Sequence, residues 1–293
     1  MILVHGGAGQ VTPDRADRLR AGVRAAAAAG KQILDRGASA LDAVVAAVRT
    51  LEQDPEFGAG IGSALTRDGT VETCASVMDG ATQRAGAVAA VPDLAAPVIL
   101  ARRVMETGEH VVLAGHAAAR YADEIGMPNM PPGSLVTPRA QQLFADARAQ
   151  GGGATIAQEG GSVGAIAMDA KGHFAAATST GGTLFRRAGT VDDSSIPGIG
   201  TWADTRCAIS TSGGEALFRI ALAHNIALRI EQGAGARKAV KAALSDLRDL
   251  SKAEMAGAIV LADGAWIALQ IGPAMPVAWF DNMGPNDAIG FPL

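Results

Sequence analysis

The order of elements predicts an α+β fold of layered, mainly antiparallel sheets. Three observations carry that expectation. Strand-like stretches come in runs and helix-like stretches come in runs, so strict βαβ alternation is absent. Turn signals at Arg67–Gly69, Asp169–Gly172 and Asp263–Gly264 join neighbouring strands directly. The composition is 48% hydrophobic with 4% aromatic residues and 37 glycines, which suits small-residue layers in close contact.

The 293 residues are expected as one domain. Charged residues make up 18%, too few for a disordered chain. The net charge is −4 and no basic stripe is visible, so nucleic acid is not an expected partner. Residues 1–9 carry neither a basic nor an apolar leader region, and no run reaches the length of a membrane span. A cytoplasmic protein with no membrane partner is the resulting expectation. Cys74 and Cys207 are isolated, which favours two buried reduced thiols over a disulfide. The five histidines never fall at ligand spacing with each other or with cysteine, so no catalytic zinc is expected.

Ile2–Val4 reads as a short buried strand that runs into the glycine-rich loop His5–Gly9. Asp14–Asp35 reads as a helix, with Leu19, Val23, Ala26, Gly30 and Ile33 at helical spacing and Gly37 as its stop. Ser39 and Asp42 form a capping-box start for a second helix bearing Val44, Val45, Val48 and Leu51 on one face. Pro55 and its neighbouring glycines end that helix. The loop at 51–62 either presents carbonyls to a cation or is an ordinary connection. Ser63–Asp79 reads as two strands about Arg67–Gly69, followed by a strand at Ala85–Val91. A helix at Ala95–Glu106, a strand at His110–Ala114 and a helix at His116–Ile125 complete the first half.

Prolines 128, 131 and 132 begin a loop. A linker is expected over about 139–161, with Ala140–Gln150 helical inside it and five glycines among its last twelve residues. Two strands, Val163–Met168 and the segment ending at Thr180, meet at the Asp169–Gly172 turn. A polar loop then covers Thr183–Trp202. A short strand at Ala208–Thr211 leads to Ser212, Gly213 and Gly214. Beyond them a helix is expected to place Leu217, Ile220, Ala221, His224 and Leu228 on one face, and a further helix covers Ala236–Leu250. Ala258–Leu261 and Ala265–Ile271 read as a hairpin.

Three chemistries can be asked of Ser162. As a plain loop residue, it merely joins two strands. As the serine of Gly160-Gly161-Ser162-Val163-Gly164, it matches G-x-S-x-G of α/β-hydrolase esterases, but that elbow needs a strand before the serine and a helix after it. As a new N-terminus, it needs no histidine, because its own α-amine serves as general base near neutral pH. That third reading requires cleavage between Gly161 and Ser162. It also requires a flexible approach, a hydroxyl nucleophile, a rigid strand behind it and hydroxyls at neighbouring strand ends. The linker, Ser162, Val163–Asp169, Thr178–Thr180 and Ser210–Ser212 supply them.

The motifs His5–Gly9, Phe57–Gly62, Val77–Gly80 with Ala85–Val88, Gly161–Ala165, Ala175–Gly182, Asp193-Ser194 and Gly213–Glu215 occur together and in order. Through them most of the chain resembles the plant-type asparaginase/isoaspartyl peptidase family of N-terminal-nucleophile hydrolases. The resemblance implies a four-layer αββα sandwich with two mainly antiparallel sheets. It implies self-cleavage into 1–161 and 162–293, and a homodimer of processed protomers. It gives Ser162 as nucleophile, Thr180 as its assistant, Thr211 and Ser212 as the oxyanion pair, and Asp193 as the partner of the substrate's α-amine. Thr190, Asp192, Gly213 and Gly214 complete the implied substrate-binding set. No catalytic cofactor is implied. A structural sodium ion is implied on the carbonyls of Leu51, Glu52, Phe57, Ala59 and Ile61. The implied substrate is a small β-aspartyl-type amide or dipeptide.

Three departures from the family pattern matter. Ser162 stands where the family has threonine and lacks the methyl that restricts χ1. Thr190 and Asp192 stand where the family has an arginine, which grips the substrate α-carboxylate, and a glycine. Gly58 replaces an asparagine. A weakened grip on a free α-carboxylate is therefore expected, with Arg186 or Arg187 as the possible replacement for the missing cation. An unprocessed, non-catalytic binding protein is the remaining alternative.

Overall fold

The computed structural model describes residues 1–127, 130–151, 161–281 and 284–293. Two sheets are stacked face to face and helices cover their outer faces. The larger sheet begins with β1 (Ile2–His5), which lies between β11 (Val277–Asp281) and β5 (Val163–Met168). The sheet continues through β6 (Phe174–Thr180), β2 (Glu72–Asp79), β3 (Arg84–Pro92) and β4 (Val112–Ala114), and β12 (Gly284–Ala288) closes its other edge. Only the β3–β4 pair is parallel. The smaller sheet has the order β10 (Ala265–Ile271), β9 (Ala256–Ala262), β8 (Cys207–Ser212) and β7 (Thr201–Ala203), all antiparallel.

Period-two alternation sorts the strand residues into layers. Ile2 and Val4 face a core shared with α1 (Pro13–Asp35), α2 (Ala40–Glu52) and α3 (Pro97–Thr107), whereas Leu3 faces the other sheet. In β9, Ile259 and Leu261 join Leu3 and Ile166 between the sheets. Ala258, Val260 and Ala262 face α6 (Leu222–Glu231) and α7 (Ala236–Ser251). The result is the expected four-layer αββα sandwich. Two more helices, α4 (Gly115–Glu124) and α5 (Pro138–Ala149), complete the first half.

Several local expectations hold for their stated reasons. Ser39 Oγ accepts the Asp42 N–H at 3.1 Å and the Asp42 carboxylate accepts the Ser39 N–H at 3.3 Å, which is a full capping box on α2. Asp263 and Gly264 both take positive φ, as the tight turn between β9 and β10 requires. Both cysteines are free and buried.

Others are corrected. Ser63–Asp79 holds one strand, not two. Ser63 is drawn out of line by its hydroxyl bond to the Gly60 carbonyl (2.7 Å), and across the turn only Thr66 and Thr70 pair. Trp202 belongs to β7, not to the polar loop before it. The face expected for the helix after Ser212 is wrong. Gly214–Arg219 winds as a tighter 3₁₀ segment and Ala221 sits at φ 49°, which resets the phase. The buried stripe of α6 is consequently Leu222, Ala223, Ile226, Ala227 and Ile230, and Leu228 is exposed. Residues 138–149 of the expected linker form α5. The helix expected inside that linker at Ala140–Gln150 is thus present, while linker residues 152–160 lie outside the described residues, as do residues 128–129 of the proline loop.

Candidate active site

Ser162 lies immediately before β5, whose register with β6 is Val163↔Ser179 and Gly164↔Thr178. Carried one residue further, that register sets Ser162 beside Thr180. Both line a narrow cleft with Ala8, Gly161, Gly182, Thr183, Asp192, Asp193, Gly213 and Gly214. Its innermost free space is about 20 Å³, room for about one water. Ser162 is buried, only 5% exposed.

The peptide before Ser162 is closely held. The backbone of Gly161 packs against Gly7 and Ala8 of the His5–Gly9 loop, and a side chain at Gly161 would collide with Ser212 Oγ. The Ala8 N–H donates to that same Ser212 hydroxyl at 3.0 Å. Three segments distant in sequence thus converge on the Gly161–Ser162 bond. Gly160, the first residue of the esterase-like motif, lies outside the described residues.

Behind the cleft, hydroxyls fill the space between the sheets. Ser210 Oγ meets His5 Nε2 at 2.8 Å and Thr178 Oγ1 at 2.7 Å. Thr201 donates to Thr178 at 2.7 Å, and Ser76 donates to Thr201 at 2.8 Å. Gly164 makes room for this chain, because a side chain there would run into Ser210 and His5. Complete burial pushes the His5 imidazole down to about 3, so it is neutral at physiological pH. Strand alternation directs Ser179 the other way, where its hydroxyl donates to Glu52 Oε1 at 2.8 Å. The Val98 N–H reaches the same oxygen at 2.9 Å, yet burial still raises the Glu52 carboxyl to about 7.

Alternation in β8 separates the two residues expected as the oxyanion pair. Cys207 and Ile209 pack toward α6 and α7, and Thr211 shares their side of the strand. Its hydroxyl donates to the carbonyls of Ile199 (3.1 Å) and Gly200 (3.4 Å), and it does not line the cleft. Ser212 faces the other sheet and touches Gly161. Ser212 therefore stands at the Gly161–Ser162 peptide, and Thr211 lies on the far side of the strand. The alternation of Cys207 and Ile209 with Ala208 and Ser210 was the sequence signal for this arrangement. Gly182 and Thr183 also line the cleft and were not read as site residues.

The opposite wall is the 183–200 loop. Asp193 is fully buried and its carboxylate oxygens make no well-formed hydrogen bond, although the backbone N–H groups of Asp193, Ser194 and Gly214 lie near enough to favour its ionised form; Ser194 Oγ is also unpartnered. Burial, with Asp192 alongside, pushes the Asp193 carboxyl well above the usual carboxylate range. Such a group is costly unless a cation or donor arrives to meet it. Asp192 is different: it forms a buried ion pair with Arg186. Burial raises its carboxyl, and the guanidinium only partly offsets this. The rest of the Arg186 fork is held by the carbonyls of Thr190 (3.2 Å) and Glu72 (2.6 Å). The negative charge expected from Asp192 is therefore neutralised within the loop. The Thr190 hydroxyl donates to the Arg187 carbonyl at 2.7 Å.

In the candidate cation loop, the carbonyls of Leu51, Phe57 and Ala59 accept from the N–H groups of Asp54, Ala59 and Gly62. The Leu51 carbonyl also accepts from the Gln53 N–H, whereas Phe57 and Ala59 each retain a second lone pair, and neutral carbonyl oxygens suit a hard cation. The Gly58 carbonyl accepts the Gly181 N–H at 2.7 Å, which ties this loop to the end of β6 beside Thr180. No cluster of three or more His, Cys, Asp or Glu side chains able to hold a metal occurs among the described residues.

A strand follows Ser162 where an esterase elbow requires a helix, so the G-x-S-x-G match is not that motif. No helix among the described residues is long and apolar enough to cross a membrane. A family model described as Asparaginase matches residues 1–283. The isoaspartyl peptidase/L-asparaginase of Mus musculus is 40% identical over 289 residues, covering 96% of this chain and 88% of its own. That of Homo sapiens is 42% identical over 284 residues, covering 95% and 92%. An isoaspartyl peptidase of Salmonella typhimurium is 42% identical over 249 residues, covering 80% of this chain and 79% of its own.

Proposed function

The chain belongs to the asparaginase family, and from that premise we propose an amidohydrolase whose nucleophile is Ser162, freed by self-cleavage after Gly161. The observation that carries the reading is one cleft. It joins a hydroxyl at the head of a rigid strand, a second hydroxyl beside it, and a buried carboxylate that makes no well-formed hydrogen bond. In the cleavage step, Ser162 Oγ attacks the Gly161 carbonyl carbon, the C–N bond breaks and its nitrogen takes the proton. Water then hydrolyses the ester, leaving a Gly161 carboxylate and a free Ser162 amine and hydroxyl.

In turnover, the Ser162 amine, with an ordinary pKa of about 7.7–8.0, accepts the Oγ proton as the hydroxyl attacks a substrate amide. Thr180 Oγ1 accepts the Gly182 N–H at 3.0 Å, which leaves its own O–H to assist the nucleophile. The oxyanion is assigned to the Ser212 hydroxyl and the backbone N–H groups of Gly213 and Gly214. Asp193 receives the substrate ammonium. The leaving amine departs with the proton, and water releases the acyl group from Ser162.

Substrate choice is proposed to differ from a plain asparaginase. The Thr190 hydroxyl is engaged with Arg187, and Arg186 is occupied by Asp192, so neither is free to grip an α-carboxylate. Leu51, Glu52, Phe57, Ala59 and Ile61 are proposed to hold a sodium ion that would brace the loop joined to β6. Two buried free thiols support a reducing, cytoplasmic setting, and the reading includes a homodimer of processed protomers.

The test is a panel of β-aspartyl dipeptides, L-asparagine and α-amidated asparagine, with ammonia or amine release measured. Turnover by the wild type should vanish in Ser162→Ala. L-asparagine should be the poorest substrate and should improve in Thr190→Arg. An intact chain that turns over none of them supports a binding protein instead.

A further inference from the structure

The narrow cleft opens directly into a wider cavity of about 400 Å³. The two share Thr183, Asp192, Gly213 and Gly214, so they form one continuous channel. The wide end has a distinct charge pattern. Arg67, Arg186 and Arg187 line it together with Asp192 and Glu215, three cations against two carboxylates. Because Arg186 and Asp192 neutralise one another, the charges left over among the lining residues are Arg67, Arg187 and Glu215, a net positive charge.

Local backbone geometry creates this arrangement. Phe185 takes φ 66°, an uncommon conformation for an aromatic residue, and its ring is braced against Phe144 at 5.4 Å. The turn carries Arg186 into the interior while Arg187 remains exposed. The turn at 67–69 is stitched to the same segment: the Arg67 N–H donates to the Arg186 carbonyl at 2.8 Å and Arg67 Nε to the Phe185 carbonyl at 3.0 Å. Arg67 is thereby anchored through one nitrogen, with its two terminal amino groups left to donate. The Arg187 guanidinium has no hydrogen-bond or ion-pair partner among the described residues.

We infer that this cavity is a subsite for an anionic group one residue beyond the aspartyl unit that reacts at Ser162. The matching substrate has a free α-amine for Asp193 and an α-carboxyl joined in a peptide bond to a second, acidic residue. A peptide step spans 3.8 Å between α-carbons, so the next residue passes Asp192 and enters the wide end. There Arg67 and Arg187 offer charge-assisted bonds to a carboxylate. The uncharged Thr190 in the wider cavity supplies no cation for a free α-carboxylate, which suits a peptide linkage instead. The inference rests on the proposed amide-hydrolysing role of the Ser162 cleft.

The test compares side-chain deamidation of asparaginyl-glutamate, asparaginyl-lysine and L-asparagine. Asparaginyl-glutamate should exceed asparaginyl-lysine about tenfold in kcat/KM, chiefly through KM, because exposed arginines act in partly screened surroundings. Arg67→Ala combined with Arg187→Ala should erase that preference. Calorimetric binding of the α-linked products aspartyl-glutamate and aspartyl-lysine to the wild-type protein gives a second readout that needs no turnover. Tighter binding of the acidic product, lost in the double variant, supports the subsite even if no amide is hydrolysed; that outcome would overturn only the proposed activity. Equal handling of the two dipeptides, a preference for lysine, or a glutamate preference that survives the double variant would overturn the subsite.

Discussion

The two walls of the Ser162 cleft handle burial in opposite ways. On the strand wall, Thr178, Thr201, Ser76 and Ser210 are buried, and every hydroxyl has a partner within the protein. On the loop wall, both oxygens of Asp193 and the hydroxyl of Ser194 are equally buried and make no well-formed hydrogen bond. These paired hydroxyls tie the sheets together behind Ser162 and Thr180, with His5 Nδ1 the one buried atom of this network left unpartnered among the described residues. An unsatisfied carboxylate stores a demand that a ligand can meet. On the proposed reading, the same chemistry of burial makes one wall scaffold and the other binding surface.

Paired substitutions can break this contrast. Asp193→Asn is expected to lower kcat/KM on substrates with a free α-amine by about 10²–10³-fold, the loss of a buried charge partner. It should leave the melting temperature unchanged or raise it, because a buried unpaired carboxylate has been removed. Thr178→Val should do the reverse. It loses bonds to Gly200 and Ser210 and one from Thr201, costing about 1–3 kcal/mol of stability, with kcat changed only a few-fold. Chemical denaturation and steady-state kinetics on both variants check the assignment. A stable but inactive Thr178→Val would move the network into the chemistry.

A smaller effect sharpens the scaffold side. The Glu52 carboxyl titrates near 7 in the fold against 4.5 ordinarily, so between those values the folded chain holds a proton that the unfolded chain has lost. Its favourable contribution is complete below 4.5 and disappears as pH rises through 7. Glu52→Gln should therefore stabilise the protein by roughly 1–2 kcal/mol at pH 8 and by little at pH 5. Equal effects at both pH values would show that Glu52 is ionised throughout.

What the sequence disclosed follows the range of the interactions involved. Ser162, Thr180 and Asp193 sit in short motifs, and the runs of strand-like and helix-like segments were enough to read layered antiparallel sheets. Period-two alternation applied to β8 would have turned Thr211 away from Gly161 and Ser212 toward it. The phase of α6 could not be read, because it depends on one left-handed residue, Ala221, after a 3₁₀ segment. The Arg186–Asp192 pair was equally hidden, since it is made by a chain reversal at Phe185 inside a polar loop. Strand β11 finds its place by pairing with β1, more than 270 residues earlier, and β12 then pairs with β11. Gly164 was visible as a motif glycine, but the Ser210 and His5 side chains that demand it come from two other strands.

The central claim is that Ser162 works as an N-terminal nucleophile, and intact mass under denaturing conditions tests it most directly. The wild-type chain of 293 residues should separate into fragments 1–161 and 162–293, whereas Ser162→Ala should remain one folded chain of 29.5 kDa. A wild-type protein that hydrolyses amides while still a single uncut chain, or a Ser162→Ala variant that yields the same two fragments, would contradict the account.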